Sequence, residues 1–177
     1  MNLKNILINK APSSHDLVLI GGGHSQITVL KKFGMKPVPG LKITLINKNS
    51  TSLYSGMIPG YIAGTYRRDD TQINLLNLCK FANARLITDD VTGIDILAKE
   101  IYLKNRSPIY YDTLSINSGG EPDINKIKGA KKYSIAIKPI SNFIQVFDEI
   151  KNKIKRINKV SMTIIGGGAG GVEIALS

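Results

Sequence analysis

Short unbroken apolar runs, each followed by a break rich in glycine, set the rhythm of this chain. The first is Leu17-Val18-Leu19-Ile20. Four consecutive apolar side chains suit a strand covered on both faces, as in a parallel sheet. The run stops at Gly21-Gly22-Gly23-His24-Ser25, and Ile27, Leu30 and Phe33 then recur at helical spacing, predicting a helix closed by Gly34. Strand, glycine turn and helix follow in the order of a mononucleotide-binding unit. Pro37 to Gly40 supplies a return loop and Ile43-Thr44-Leu45-Ile46 a second strand.

Residues 52–64, rich in Gly, Tyr, Ser and Pro, read as an ordered loop with one short helix, and Leu75, Leu76, Leu78, Cys79 and Phe81 mark a helix. Residues 85–88, 91–97, 100–103 and 107–110 are β-rich runs parted by turn residues, as in an antiparallel meander. Leu114 to Asn117 is another buried strand, ending at Ser118-Gly119-Gly120. A further helix is signalled by Ser141 as its cap and by Phe143, Phe147, Ile150, Ile154 and Ile157. Residues 160–165 predict a last strand before Gly166-Gly167-Gly168-Ala169-Gly170-Gly171. The expected fold class is α/β: a Rossmann-like fold carrying an antiparallel β-meander, then the first strand and helix start of a second dinucleotide-binding fold. The organisation follows as a polar tail over 1–15, a first domain over 16–120, and a connection with the opening of a second domain over 121–177.

Composition narrows the function classes. Lys and Arg number 24 against 13 Asp and Glu, for a net charge of +11. Such a balance suits nucleic acid, an anionic membrane surface or a phosphate-rich cofactor. The basic residues are scattered except for 151–156, where they alternate with isoleucines at helical spacing as a solvated helix face does. Aromatic content is 6%, and no aromatics interleave with the basic residues as a base-stacking platform requires, so no nucleic-acid partner is expected. Cys79 is the single cysteine, which excludes an internal disulfide or dithiol pair within these residues. The start of the sequence has no signal-peptide pattern, no run is long enough to span a membrane, and a cytoplasmic location is expected.

The chemistry lies in the glycine turns. Gly166, Gly168 and Gly171 complete G-x-G-x-x-G after an apolar run and before Val172-Glu173-Ile174-Ala175-Leu176. In that motif the first glycine permits the turn, the second admits a pyrophosphate and the third lets helix pack on strand, with the helix N–H groups from Ala169 onward facing phosphate. The first turn has Gly21 and Gly23, but Gln26 stands where the third glycine belongs. Asn47 stands where a ribose-binding acid is expected; as a neutral group it should hold a hydroxyl less strongly than a carboxylate. Neither a catalytic dyad nor a metal-ligand set is apparent.

Taken together, the glycine turn at 21–25, Tyr54-Ser55-Gly56-Met57-Ile58-Pro59-Gly60, the meander, Asn117-Ser118-Gly119 and the turn at 166–171 through Glu173 resemble the pyridine nucleotide-disulfide oxidoreductase superfamily. The resemblance covers about 17–177. It is greatest to the branch holding relatives of type II NADH dehydrogenases, including oxidoreductase domains fused to selenophosphate synthase, which makes that synthase a fused or separate partner to consider. The resemblance implies FAD and NAD(P)H as cofactors. It also implies an FAD fold interrupted by an inserted NAD(P)H fold, of which this chain would be a C-terminally truncated part with negligible turnover alone.

By the same resemblance, Gly21, Gly23, His24, Ser25, Asn47, Val91, Ser118 and Gly119 belong to the FAD site, and Tyr54 to a loop covering the flavin. Gly166, Gly168, Ala169, Gly171 and Glu173 belong to the NAD(P)H site. Val91 also suits an ordinary strand position, Tyr54 to Gly60 an ordinary surface loop, and Glu173 a solvent-facing helix acid. The implied reaction is hydride transfer from NAD(P)H to flavin and on to a quinone or other small acceptor, with peripheral membrane contact open to the parent protein. The alternative is a non-catalytic module that binds FAD or an adenine nucleotide, which the missing third glycine and the missing acid favour.

Overall fold

The computed structural model describes residues 14–154 and 160–177. The expected tail up to residue 13, and Lys155, Arg156 and Ile157 of the basic helix face, lie outside the described residues. In chain order the strands are β1 (His15–Ile20), β2 (Leu41–Asn47), β3 (Thr51–Leu53), β4 (Gln72–Asn74), β5 (Arg85–Thr88), β6 (Val91–Asp95), β7 (Glu100–Leu103), β8 (Ile109–Tyr110) and β9 (Thr113–Ile116). The helices are α1 (His24–Met35), α2 (Ile58–Ile62), α3 (Leu75–Phe81), α4 (Ala130–Tyr133), α5 (Ile140–Ile154) and α6 (Ala169–Leu176). The architecture is α/β and Rossmann-like. Two compact units share the chain, one running up to Ser52 and over Asn74–Ser118, the other over Leu53–Ile73 and Gly119–Ser177.

In the first unit a four-stranded sheet has the order β5-β2-β1-β9 with every pair parallel. Strand alternation sends Val18, Ile20, Ile46 and Ile87 to one face, where they form a core with Ile101, Leu103 and Tyr111 of the meander side. Leu19 and Leu45 point the other way, the side of α1 and α3, whose Leu30, Leu75 and Cys79 are likewise fully buried. The meander is three-stranded, β6-β7-β8. β5, expected to belong to it, instead pairs with β2, because α3 returns the chain across the sheet and a crossover of that kind sets strands parallel.

Gly34 does not close α1, which runs on to Met35; a Cβ there would strike the ring of Phe81 on α3, so this glycine marks helix contact rather than helix end. α3 is capped as a short helix should be, with the Asn74 side chain accepting from the Asn77 amide at 2.9 Å.

The second unit is helical in its described secondary structure apart from the strand ends at Leu53, Gln72 and Ile73. Ile58 and Tyr61 of α2 pack with Phe143 and Ile144 of α5. Tyr61 donates a short hydrogen bond to Asp148, whose other oxygen meets Arg68 at 3.2 Å. α5 begins at Ile140, so Ser141 lies in its first turn instead of capping it; Pro139 supplies the carbonyl that receives the Asn142 and Phe143 amides. Residues 160–165, expected to be a strand, carry no ladder, and Met162 and Ile165 are 59% and 74% exposed. An apolar run becomes a strand only where another supplies hydrogen-bond partners, and no described strand lies beside this one.

Candidate functional site

The first glycine turn sits where β1 and β9 end side by side. From β1 the chain continues to β2 and β5 on one side, while β9 lies on the other side of β1, so the strand order reverses between β1 and β9, the kind of crevice where open α/β sheets take ligands. Gly21 continues the β1 ladder with its N–H on Ile46 O at 2.8 Å, and Asn117 does the same from β9 onto Ile20 O, also at 2.8 Å. Gly21 has φ +88° and a Cβ on it would collide with the Asn117 carbonyl, so both backbone conformation and crowding demand glycine. A Cβ on Gly23 would come within 2.6 Å of Asn117 Oδ1.

Gly22 is buried, and its N–H donates to Asn47 Oδ1 at 2.8 Å, while Asn47 Nδ2 donates to Asn49 O at 2.7 Å. Gly23 then caps α1 without a side chain, and the first turn holds no acidic residue. A helix start leaves its first N–H groups without intrahelical partners and carries positive partial charge, which suits an anion such as a pyrophosphate. His24 and Ser25 are exposed at this end. Gln26, in place of the third glycine, is fully buried and its Nε2 donates to Ser115 Oγ of β9 at 2.9 Å. A polar bridge from helix to strand thus replaces the close backbone contact that a glycine permits.

Other residues named from the sequence fall around this unit or in the other one. Val91 opens β6 opposite Leu103 and packs against the core of the first unit. Ser118 and Gly119 follow β9 and are exposed, Gly119 at φ +83° with no neighbour within 4 Å of a built Cβ. Tyr54, in the second unit, precedes a single helical turn over Ser55–Met57 and donates its N–H to Thr71 O at 2.8 Å. Gly60 of the same loop leaves room for the Tyr66 ring.

The second glycine turn also lies in the second unit. Gly168 caps α6 without a side chain, and built Cβ atoms on Gly166, Gly167 and Gly168 meet nothing within 4 Å, an open cradle at a helix start. Gly171 is the tight position, since a Cβ there would strike the Gly166 carbonyl. Ala169 opens α6 and Glu173 lies exposed on it. Asn117, Gln26 and Ser115 were not singled out by sequence as site residues; Gln26 is signalled only by standing where the third glycine belongs, and Ser115, inside β9, carries no signal. Cys79 is buried in α3, and burial pushes its thiol up to about 11, so it is held as an unreactive thiol. Among the described residues no helix is long and apolar enough to cross a membrane.

Similarity to known proteins agrees with this fold. The chain is 29% identical to the NADH dehydrogenase-like protein YutJ of Bacillus subtilis over 166 residues, 90% of this chain and 43% of that protein. Its fold matches NDH2 from Plasmodium falciparum, a structure with NADH, at a TM-score of 0.72 and 18% identity, covering 91% of this chain and 36% of that one. It also matches the NADH:rubredoxin oxidoreductase of Clostridium acetobutylicum at a TM-score of 0.67 and 26% identity, covering 92% and 41%. The chain therefore spans less than half the length of these relatives. With two helix-capping glycine turns in place and residues 15–177 matching the family, the chain belongs to the pyridine nucleotide-disulphide oxidoreductases.

Proposed function

We propose that this chain supplies the FAD-binding turn and the opening NAD(P)H-binding turn of an oxidoreductase that passes hydride from NAD(P)H to flavin and onward to a quinone or other small acceptor. The observation carrying it is the pair of glycine turns, each leading into a helix whose start has no side-chain cap, one of them at the sheet's switch point. The residues fit the two groups: α1 offers its first-turn N–H groups to a pyrophosphate, and the open backbone at 166–168 leaves room for another. The cofactors supply the redox chemistry; the protein binds them, orients them and keeps water out. Ser118 and Gly119, just past β9, and Val91, at the start of β6, are proposed to complete the FAD site. Glu173 is proposed near the nicotinamide. The single buried Cys79 offers no dithiol, which favours a small acceptor over a disulfide.

A second reading, a binding module without turnover, is favoured by the neutral Asn47 whose acceptor atom is already engaged by Gly22. One experiment addresses both. The purified chain is mixed with FAD, desalted and its visible spectrum recorded, and a protein of the relatives' length is then treated anaerobically with NADH and NADPH. Retained flavin that bleaches supports the oxidoreductase. Flavin retained without bleaching supports the binding module, and no retained flavin sinks the oxidoreductase and leaves the module only an adenine nucleotide to bind.

A further inference from the structure

We propose that Asn47 is a positioning residue for the first glycine turn, and that its place requires an amide where the acid of the usual pattern would have a carboxylate. The functional part of this proposal rests on the flavin reading above. Asn47 ends β2, and its side chain is used at both ends: Oδ1 accepts from Gly22 and Nδ2 donates to Asn49 O, at 2.8 and 2.7 Å. Gly21 N–H is taken by Ile46 O. The two amides before Gly23 are thus held by β2 and its end, which fixes the peptide planes leading into α1. Gly22 has little freedom to shift, since a Cβ there would lie 2.8 Å from Leu75 Cδ1 and 3.3 Å from Asn47 Cγ.

A carboxylate at position 47 could accept from Gly22 but could not donate to Asn49, and would set two acceptors against each other. A protonated carboxyl can do both, as the amide does. Charged groups around the β2 end already have partners: Lys48 meets Asp90 at 3.8 Å, and Asp89, whose N–H donates to Asn47 O, is held by Asn105 and Arg106. His24 lies exposed on the same turn and is present in both chains. A pH effect created by Asn47→Asp, measured relative to the unaltered chain at each pH, therefore reports the new carboxyl.

The test has a flavin-free arm and a flavin arm. Amide exchange read by NMR should show Gly22 protected in the unaltered chain and exchanging about tenfold faster in Asn47→Ala. FAD affinity of Asn47→Asp should fall about tenfold at neutral pH, the loss of roughly one neutral hydrogen bond together with the repulsion between two acceptors. It should recover toward the unaltered value as pH is lowered to about 4, where the carboxyl gains its proton. Equal Gly22 exchange in the unaltered chain and in Asn47→Ala would overturn the proposal. So would Asn47→Asp binding FAD as tightly or more tightly at neutral pH, the behaviour of a ribose-binding acid. If the unaltered chain retains no flavin, the flavin reading fails by itself, and Gly22 exchange still decides the role of Asn47.

Discussion

A glycine can be required by a neighbour or by a guest, and the two turns separate these cases. Gly23 is required by a neighbour, Asn117, so a bulky residue there would disturb the fold together with any pyrophosphate. Gly168 has open space where a side chain would go and an ordinary φ of −73°, so no described neighbour needs it small, and the proposed nucleotide is what would. Gly168→Val should leave stability within about 0.5 kcal/mol and weaken NAD(P)H binding at least about tenfold. Thermal melting paired with calorimetric titration checks this, and unchanged nucleotide affinity would refute the assignment. Residue identity at the turns was legible in the sequence, but residue roles were not. Asn47 finds its partner 25 positions away and Gln26 finds Ser115 at 89. No local pattern announces such a pairing.

Elements follow the same division. β1 and β2 were legible because the apolar centre of a strand covered on both faces stands out as an unbroken run, whereas β9, read as a buried strand, is only half-covered, with Ile116 57% exposed. β5 has the same β-rich look as the meander strands, and only its place after α3 reveals the sheet it joins. Gly34 looked like a stop because glycine commonly ends helices, whereas its reason is the Phe81 ring on another helix. The bond between α2 and α5 is a further feature that spacing does not show. Burial first, and then the hydrogen bond to Asp148, push the Tyr61 phenol up to about 12. The folded state thus favours the neutral phenol, so this contribution is complete below pH of about 10 and is lost as pH climbs through about 12. Melting temperature followed across that range should fall more steeply in the unaltered chain than in Tyr61→Phe, and identical slopes would count against the assignment. Asp148→Asn should cost about 1–3 kcal/mol, since an amide replaces the carboxylate that receives the phenol and faces Arg68.

At the scale of the molecule, a net charge of +11 favours capture of dinucleotide anions before any specific contact forms. The association rate of FAD should fall about tenfold as salt is raised well past 0.15 M, where the screening length is already about 8 Å. Stopped-flow mixing across a salt series measures it, and a flat dependence would remove charge from the account. Division into two units by contact was less legible than the motifs, because sequence neighbours such as Ser52 and Leu53 belong to different units while Ser52 and Asn74 belong to the same one. Sheet order carries a consequence for synthesis. β1 lies between β2 and β9, and the bond from His15 to Thr113 spans 98 positions. As the chain leaves the ribosome, β1 meets its first neighbour early and waits for the second while residues 53–73, which belong to the other unit, emerge in between. During that interval one edge of β1 stands open to mispairing, and a holding chaperone, or a pause in translation placed after β9 has emerged, would act on that edge.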